Sequence, residues 1–189
     1  MPRSAMLLLK SVMRRAEQAY LIRRGVRRFR GEFKHGVISL EAITEIWLGW
    51  GNTSYSASPD VLYELVMLAK GVREQTVLEC GGGVSTLLLA LVSEKTGTKT
   101  ITIEHDAAWC VTLRDAVSRH SRGVFEVRHA PLVHFDGYEW YRLTELEDLG
   151  SVGLVFCDGP PGQTTGGRIG ILKHLAAVLP QERDHRDRR

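Results

Sequence analysis

The sequence predicts an α/β fold: an open parallel sheet built from right-handed βαβ units, preceded by N-terminal helices. Three observations predict it. From residue 76 onward, short apolar runs alternate with helix-length segments, the pattern of parallel βαβ units. The first run, Val77-Leu78-Glu79-Cys80, meets three consecutive glycines, Gly81, Gly82 and Gly83, before an apolar helix through Leu87–Val92. Three of the runs carry acids at their ends, Glu79, Glu104 and Asp158. In an open parallel sheet such residues converge on one crevice beyond the carboxyl ends of the strands.

Each element follows from local pattern. Residues 4–30 read as a helix whose apolar face is Leu9, Val12, Met13, Ala16, Ala19 and Tyr20, at helical spacing; Gly25 weakens its last turns. A second helix spans 39–48, followed by a polar loop over 49–57. Ser58 is the expected N-cap of the next helix with Pro59 at its first position, and Gly71 is expected to close it. Strands are predicted at 76–80, 99–104, 124–130 and 152–157, and helices at 84–94, 107–120 and 168–179. Residues 131–150, with Tyr138, Trp140 and Tyr141, form a long connection of the kind that often carries function. The segmentation is therefore a basic helical segment with a lid-like loop (1–58), an α/β domain (59–180) and a charged tail (181–189).

Composition bounds the function. The 189 residues are 43% hydrophobic, as in an ordinary globular protein, and no stretch approaches the ~18 apolar residues of a membrane span. Cys80, Cys110 and Cys157 make no disulfide framework, which points to a reducing, cytoplasmic setting; Cys80 and Cys157 are expected as neighbouring buried thiols, with a redox pair as the rarer reading. Residues 1–34 hold ten Lys and Arg against Glu17 and Glu32, a net +8 beside +3 for the whole chain. Three readings of that helix stand: one packed on the domain with a solvated basic face, one lying on an anionic membrane surface and, least expected, one touching nucleic acid. A nucleic-acid partner is not expected.

The glycine loop has the general form of a nucleotide-cofactor site, because glycines allow close ligand approach and the following helix offers unpaired N–H groups. A dinucleotide fingerprint needs a third glycine where Thr86 stands, and Glu79 would repel a pyrophosphate while accepting from an ammonium. Glu104, about 20 residues past the glycines, suits ribose hydroxyls. His105 and Asp106 stand beside it, and Asp106 is also the expected N-cap of the next helix. Trp50, Asn52 and Tyr55 are candidates to border the site from the lid-like loop.

The pattern E-x-G-x-G at 79–83 resembles motif I of the class I S-adenosylmethionine-dependent methyltransferases. With Trp47-Leu48-Gly49-Trp50, Glu104-His105-Asp106, Glu139-Trp140-Tyr141 and Cys157-Asp158-Gly159-Pro160-Pro161-Gly162 through Gly166-Gly167-Arg168-Ile169-Gly170, residues 40–180 look like a largely uncharacterised bacterial group of that family. The resemblance implies a Rossmann-like sheet of order 3-2-1-4 and S-adenosylmethionine held by Glu79, Gly81, Gly82, Gly83, Ser85, Thr86, Glu104 and His105. Asp158 is the expected catalytic acid–base residue, for an oxygen-directed transfer to a small molecule. Arg168 is read as a partner for an acidic substrate group or a backbone carbonyl, and Trp140 and Tyr141 as an acceptor wall; no metal is expected. The family's sheet has seven strands and four are found, so the reading expects a C-terminally shortened chain of weak or no activity, with an open strand edge suited to a homodimer. A non-catalytic binding protein of this fold and an NAD-type oxidoreductase are the alternatives.

Overall fold

The computed structural model describes residues 3–51, 54 and 56–175, with side chains from residue 10. Four parallel strands form the sheet: β1 (Thr76–Cys80), β2 (Thr100–Glu104), β3 (Phe125–His129) and β6 (Val152–Cys157), in the order β3-β2-β1-β6. The register pairs Leu78 with Ile101 and with Val155, and Thr102 with Val127. The architecture is Rossmann-like, with N-terminal helices α1 (Arg3–Lys34), α2 (Leu40–Trp50) and α3 (Pro59–Gly71), and crossover helices α4 (Val84–Thr96) and α5 (Ala107–His120). Among the described residues, no helix is long and apolar enough to cross a membrane.

Strand alternation divides the core in two. Val77 and Val127 pack with α2–α5 on one face, while Leu78, Cys80, Ile101 and Ile103 face the other. Helix α4 is buried continuously from Val84 to Ser93, because the sheet lies on one side and the N-terminal helices on the other. An all-round apolar helix requires such cover, and each of its leucines contributes ~1.5–3 kcal/mol on burial. The core therefore runs without a break from Ile22 and Phe29 of α1 to Leu87 of α4.

Several expectations need correction. The predicted apolar face of α1 is not its buried face: Val12, Met13 and Tyr20 are more than half exposed, and the buried seam is Ile22, Val26 and Phe29. Both sets have helical spacing, and the α2 contact selects the second. Ser58 sits at the N-cap of α3 without a side-chain cap hydrogen bond, and Gly71 lies inside that helix, which closes at Val72. The connection 131–150 holds an antiparallel hairpin, β4 (Leu132–Phe135) and β5 (Tyr138–Tyr141). Its Trp140 and Tyr141, with Leu175, cover the sheet face opposite α4. The helix expected from 168 begins later, as a π-helical turn over Ile171–Leu175, because left-handed Gly166 and Gly167 hold the preceding segment in turns. Asn52, Tyr55, the stretch 176–179 and the tail 181–189 lie outside the described residues. β6 is the outer strand of the sheet and has no further strand beside it among the described residues.

Candidate functional site

The crevice opens where β1, β2 and β6 end. Gly81, with φ +86°, turns the chain away from β1, and its N–H is held by the Ile103 carbonyl at 2.9 Å. On the other side, the Asp158 and Gly159 N–H groups both donate to the Cys80 carbonyl, at 3.0 and 2.6 Å. The two loops touch so closely that a Cβ on Gly81 would lie 2.7 Å from the Gly159 nitrogen. A Cβ on Gly82 would run into the Leu113 side chain, whereas one on Gly83 would meet nothing within 4 Å. Gly83 thus leaves open space beside the start of α4.

The cavity is about 640 Å³, within the usual range for small-molecule sites. Gly81, Gly82, Gly83, Ser85, Glu104, His105, Asp158, Arg168 and Tyr141 of the expected set all line it. Buried Glu104 braces it: Oε2 accepts from the Gly82 N–H and Oε1 from the Asp106 N–H, both at 3.0 Å. His105 Nδ1 lies 2.7 Å from Oε1. A carboxylate has lone pairs to spare beyond two bonds, so ligand hydroxyls can still be accepted. Asp106 caps α5 by accepting from the Trp109 N–H at 2.8 Å.

Glu79, Thr86 and Trp140 do not line the cavity. Glu79 is fully buried beneath the loop, where Thr86 Oγ1 and Thr102 Oγ1 each donate to its Oε2 at 2.6 Å. Thr86 Oγ1 also accepts from the Gly83 N–H at 3.1 Å, so the pair fixes the loop from below. Burial raises the Glu79 carboxyl to about 7, against the pull of the Ser85, Thr102 and Thr86 hydroxyls and with a further push from Asp158. Its Oε1 has no hydrogen-bond partner among the described residues. Trp140 is core, packed on Gly170.

On the opposite wall Asp158 pairs with Arg168, Nη2 to Oδ1 3.2 Å. Arg168 also donates to the Asp158 and Pro160 carbonyls. It stands in the turn before the helix rather than at the helix start, and of its two expected roles the backbone one is the one observed. Burial raises the Asp158 carboxyl, while Arg168 and the Ala57 N–H pull it back. Ser56 and Ala57, from the loop before α3, and Trp50, the last residue of α2, also line the cavity.

Trp109 escaped the sequence reading, as did the setting of the hydroxyl on Tyr141, a residue expected only as acceptor wall. Trp109 lines the cavity and donates from Nε1 to the Gly82 carbonyl at 2.8 Å; its place one turn into a helix that follows a strand-end acid was the available signal. The Tyr141 hydroxyl is buried at the cavity floor against Gly159 with no hydrogen-bond partner among the described residues. Burial raises its pKa, with Cys80, Glu104, Cys157 and Glu79 adding to the effect. An orphan hydroxyl at this depth costs ~1–3 kcal/mol. Cys80 and Cys157 are in register on β1 and β6 just below; contact between them raises the first thiol and lowers the second.

No protein-family model matches the sequence, and no curated protein matches it. What the site does is therefore argued from its own groups.

Proposed function

We propose that the crevice binds S-adenosylmethionine and that the protein transfers its methyl group to a small-molecule acceptor, as a class I methyltransferase. The observation that carries the reading is Glu104: a buried strand-end carboxylate, bonded to the glycine loop of the neighbouring strand, yet lining the cavity. The same loop leaves a Cβ-sized opening at Gly83. Ligand charge favours this cofactor over a dinucleotide. Asp158 and Arg168 both line the cavity and cancel as an ion pair, which leaves Glu104 and Asp106 as its acidic surplus. Acidic walls suit a ligand carrying an ammonium and a sulfonium, and oppose a pyrophosphate.

The cofactor supplies an activated methyl group. Gly83 and Ser85 would hold its amino-acid end, Glu104 its ribose hydroxyls, and His105 and Trp109 its base. Asp158, partly desolvated and on the opposite wall, would take the proton of an acceptor hydroxyl. The Tyr141 hydroxyl, without a partner among the described residues, would donate to ligand or acceptor. Alignment of this kind can lower a barrier by ~7–11 kcal/mol.

A second reading, binding without catalysis, is favoured by one observation: Asp158 is already paired with Arg168, and the pair must part before Asp158 serves as a base. Incubation with methyl-labelled S-adenosylmethionine and pooled small-molecule extracts separates the readings. Label on a hydroxyl-bearing acceptor, abolished in Asp158→Asn, supports transfer. Cofactor binding without any labelled product supports the binding reading, and absence of both rejects the proposal.

A further inference from the structure

Away from the crevice, α1 carries a stripe that changes character along its length. Met13, Ala16, Tyr20, Arg23, Arg27 and Arg30 follow one another at steps of three and four residues, the spacing of one helix face. The first half is apolar and uncovered: Met13 is 63% and Tyr20 60% exposed, with Val12 beside them at 54%. The second half forms one wall of a groove of about 880 Å³ whose other wall is the end of α5, with Arg119, His120 and Arg122. Ala19, three residues after Ala16 and next to Tyr20, lines the groove, so stripe and groove adjoin.

The groove's charge is largely uncompensated. Arg30 is neutralised by Glu94, through bonds of 2.9 and 2.7 Å, and also donates to the His120 carbonyl. Arg23, Arg27, Arg119 and Arg122 form no ion pair among the described residues. The field is felt by His120, whose pKa is lowered by burial and then by Arg23, Arg119 and Arg30. Four guanidiniums around a concavity, each with a planar fork of donors, match phosphate oxygens.

We propose that this face docks on an anionic bilayer surface, with the arginines of the groove on lipid phosphates and Val12, Met13 and Tyr20 in the headgroup region. The apolar half of the stripe selects the membrane. A nucleic-acid duplex or a soluble phosphate ester would engage the arginines but offer Met13 and Val12 nothing, whereas an interface takes up both halves at once. Docking there leaves the crevice, whose residues come from other segments, as a separate site.

Flotation of the full chain with phosphatidylcholine vesicles, with and without phosphatidylglycerol, tests this. Three proteins are compared: wild type, Arg23→Ser/Arg27→Ser and Met13→Ser/Tyr20→Ser, with circular dichroism to verify the fold. Recovery is expected only with the anionic vesicles and should fall as salt rises. Loss of two arginines should weaken partition roughly 30-fold, and the apolar pair should weaken it several-fold even at low salt. Equal recovery on neutral and anionic lipid, no recovery on either, or unchanged partition in the arginine variant overturns the proposal. So does tighter binding of a duplex oligonucleotide than of vesicles at equal salt, which would assign the groove to nucleic acid.

Discussion

Gly82 and Gly83 are adjacent and differ in what a methyl group would meet. Gly82→Ala drives a Cβ into Leu113 and should cost about 1–3 kcal/mol in denaturant unfolding, as overpacking does. Gly83→Ala meets only open space, so its unfolding midpoint should stay put while S-adenosylmethionine affinity falls at least tenfold by titration. Glu79 supplies a pH signature. Its folded pKa of about 7 lies above the ordinary 4.5, so its contribution to stability is fully present below about 4.5 and is lost as pH rises through about 7. Glu79→Gln should flatten that loss and raise stability at pH 8 by up to about 3 kcal/mol, read from melts across pH. The sequence marks Glu79 as important but not why: a strand-end acid looks the same whether it faces ligand or lies beneath the loop, and the hydroxyls of Thr86 and Thr102 decide it.

At the scale of elements, α1 and α2 approach through two glycines. A Cβ on Gly25 would lie 2.8 Å from Ile46, and one on Gly49 would press on the Ile22 backbone. Gly31, on the same helix as Gly25, has nothing within 4 Å. Gly49→Ala should therefore lower the melting temperature, while Gly31→Ala should raise stability by up to about 1 kcal/mol through helix propensity. The existence of α1 was legible from its spacing; its buried face was not, because Val12, Met13 and Tyr20 repeat as regularly as Ile22, Val26 and Phe29. The four sheet strands were legible to within a residue or so, since each apolar run is bounded by glycine or an acid. The β4–β5 hairpin was legible but went unread. Asp136-Gly137 between aromatic and β-branched residues is a two-residue turn signal, and Gly137 has φ +79°.

Across the whole molecule, Glu94 ties the basic helix to the sheet domain. Burial raises its carboxyl, but bonds from Arg30, the Arg122 N–H and Ser121 outweigh this and lower it to about 2. Its contribution is present above about 4.5 and lost as pH falls toward 2, opposite in slope to Glu79. Glu94→Gln should soften acid unfolding, by less than the shift alone implies because solvent reaches the Arg30 end. The convergence of strand-end acids was legible from topology, since Glu104 and Asp158 do line one crevice. The Asp158–Arg168 pair was not, because it depends on how the turns at Gly166 and Gly167 fold back. The central claim is that this crevice holds S-adenosylmethionine against Glu104, and isothermal titration tests it most directly. S-adenosylmethionine and S-adenosylhomocysteine should each bind at one site, NAD should give no heat, and Glu104→Ala should lose about 1.5–3 kcal/mol of affinity, as expected for a charge-assisted bond. Absence of heat from both sulfur compounds, or full affinity in a folded Glu104→Ala protein, would contradict it.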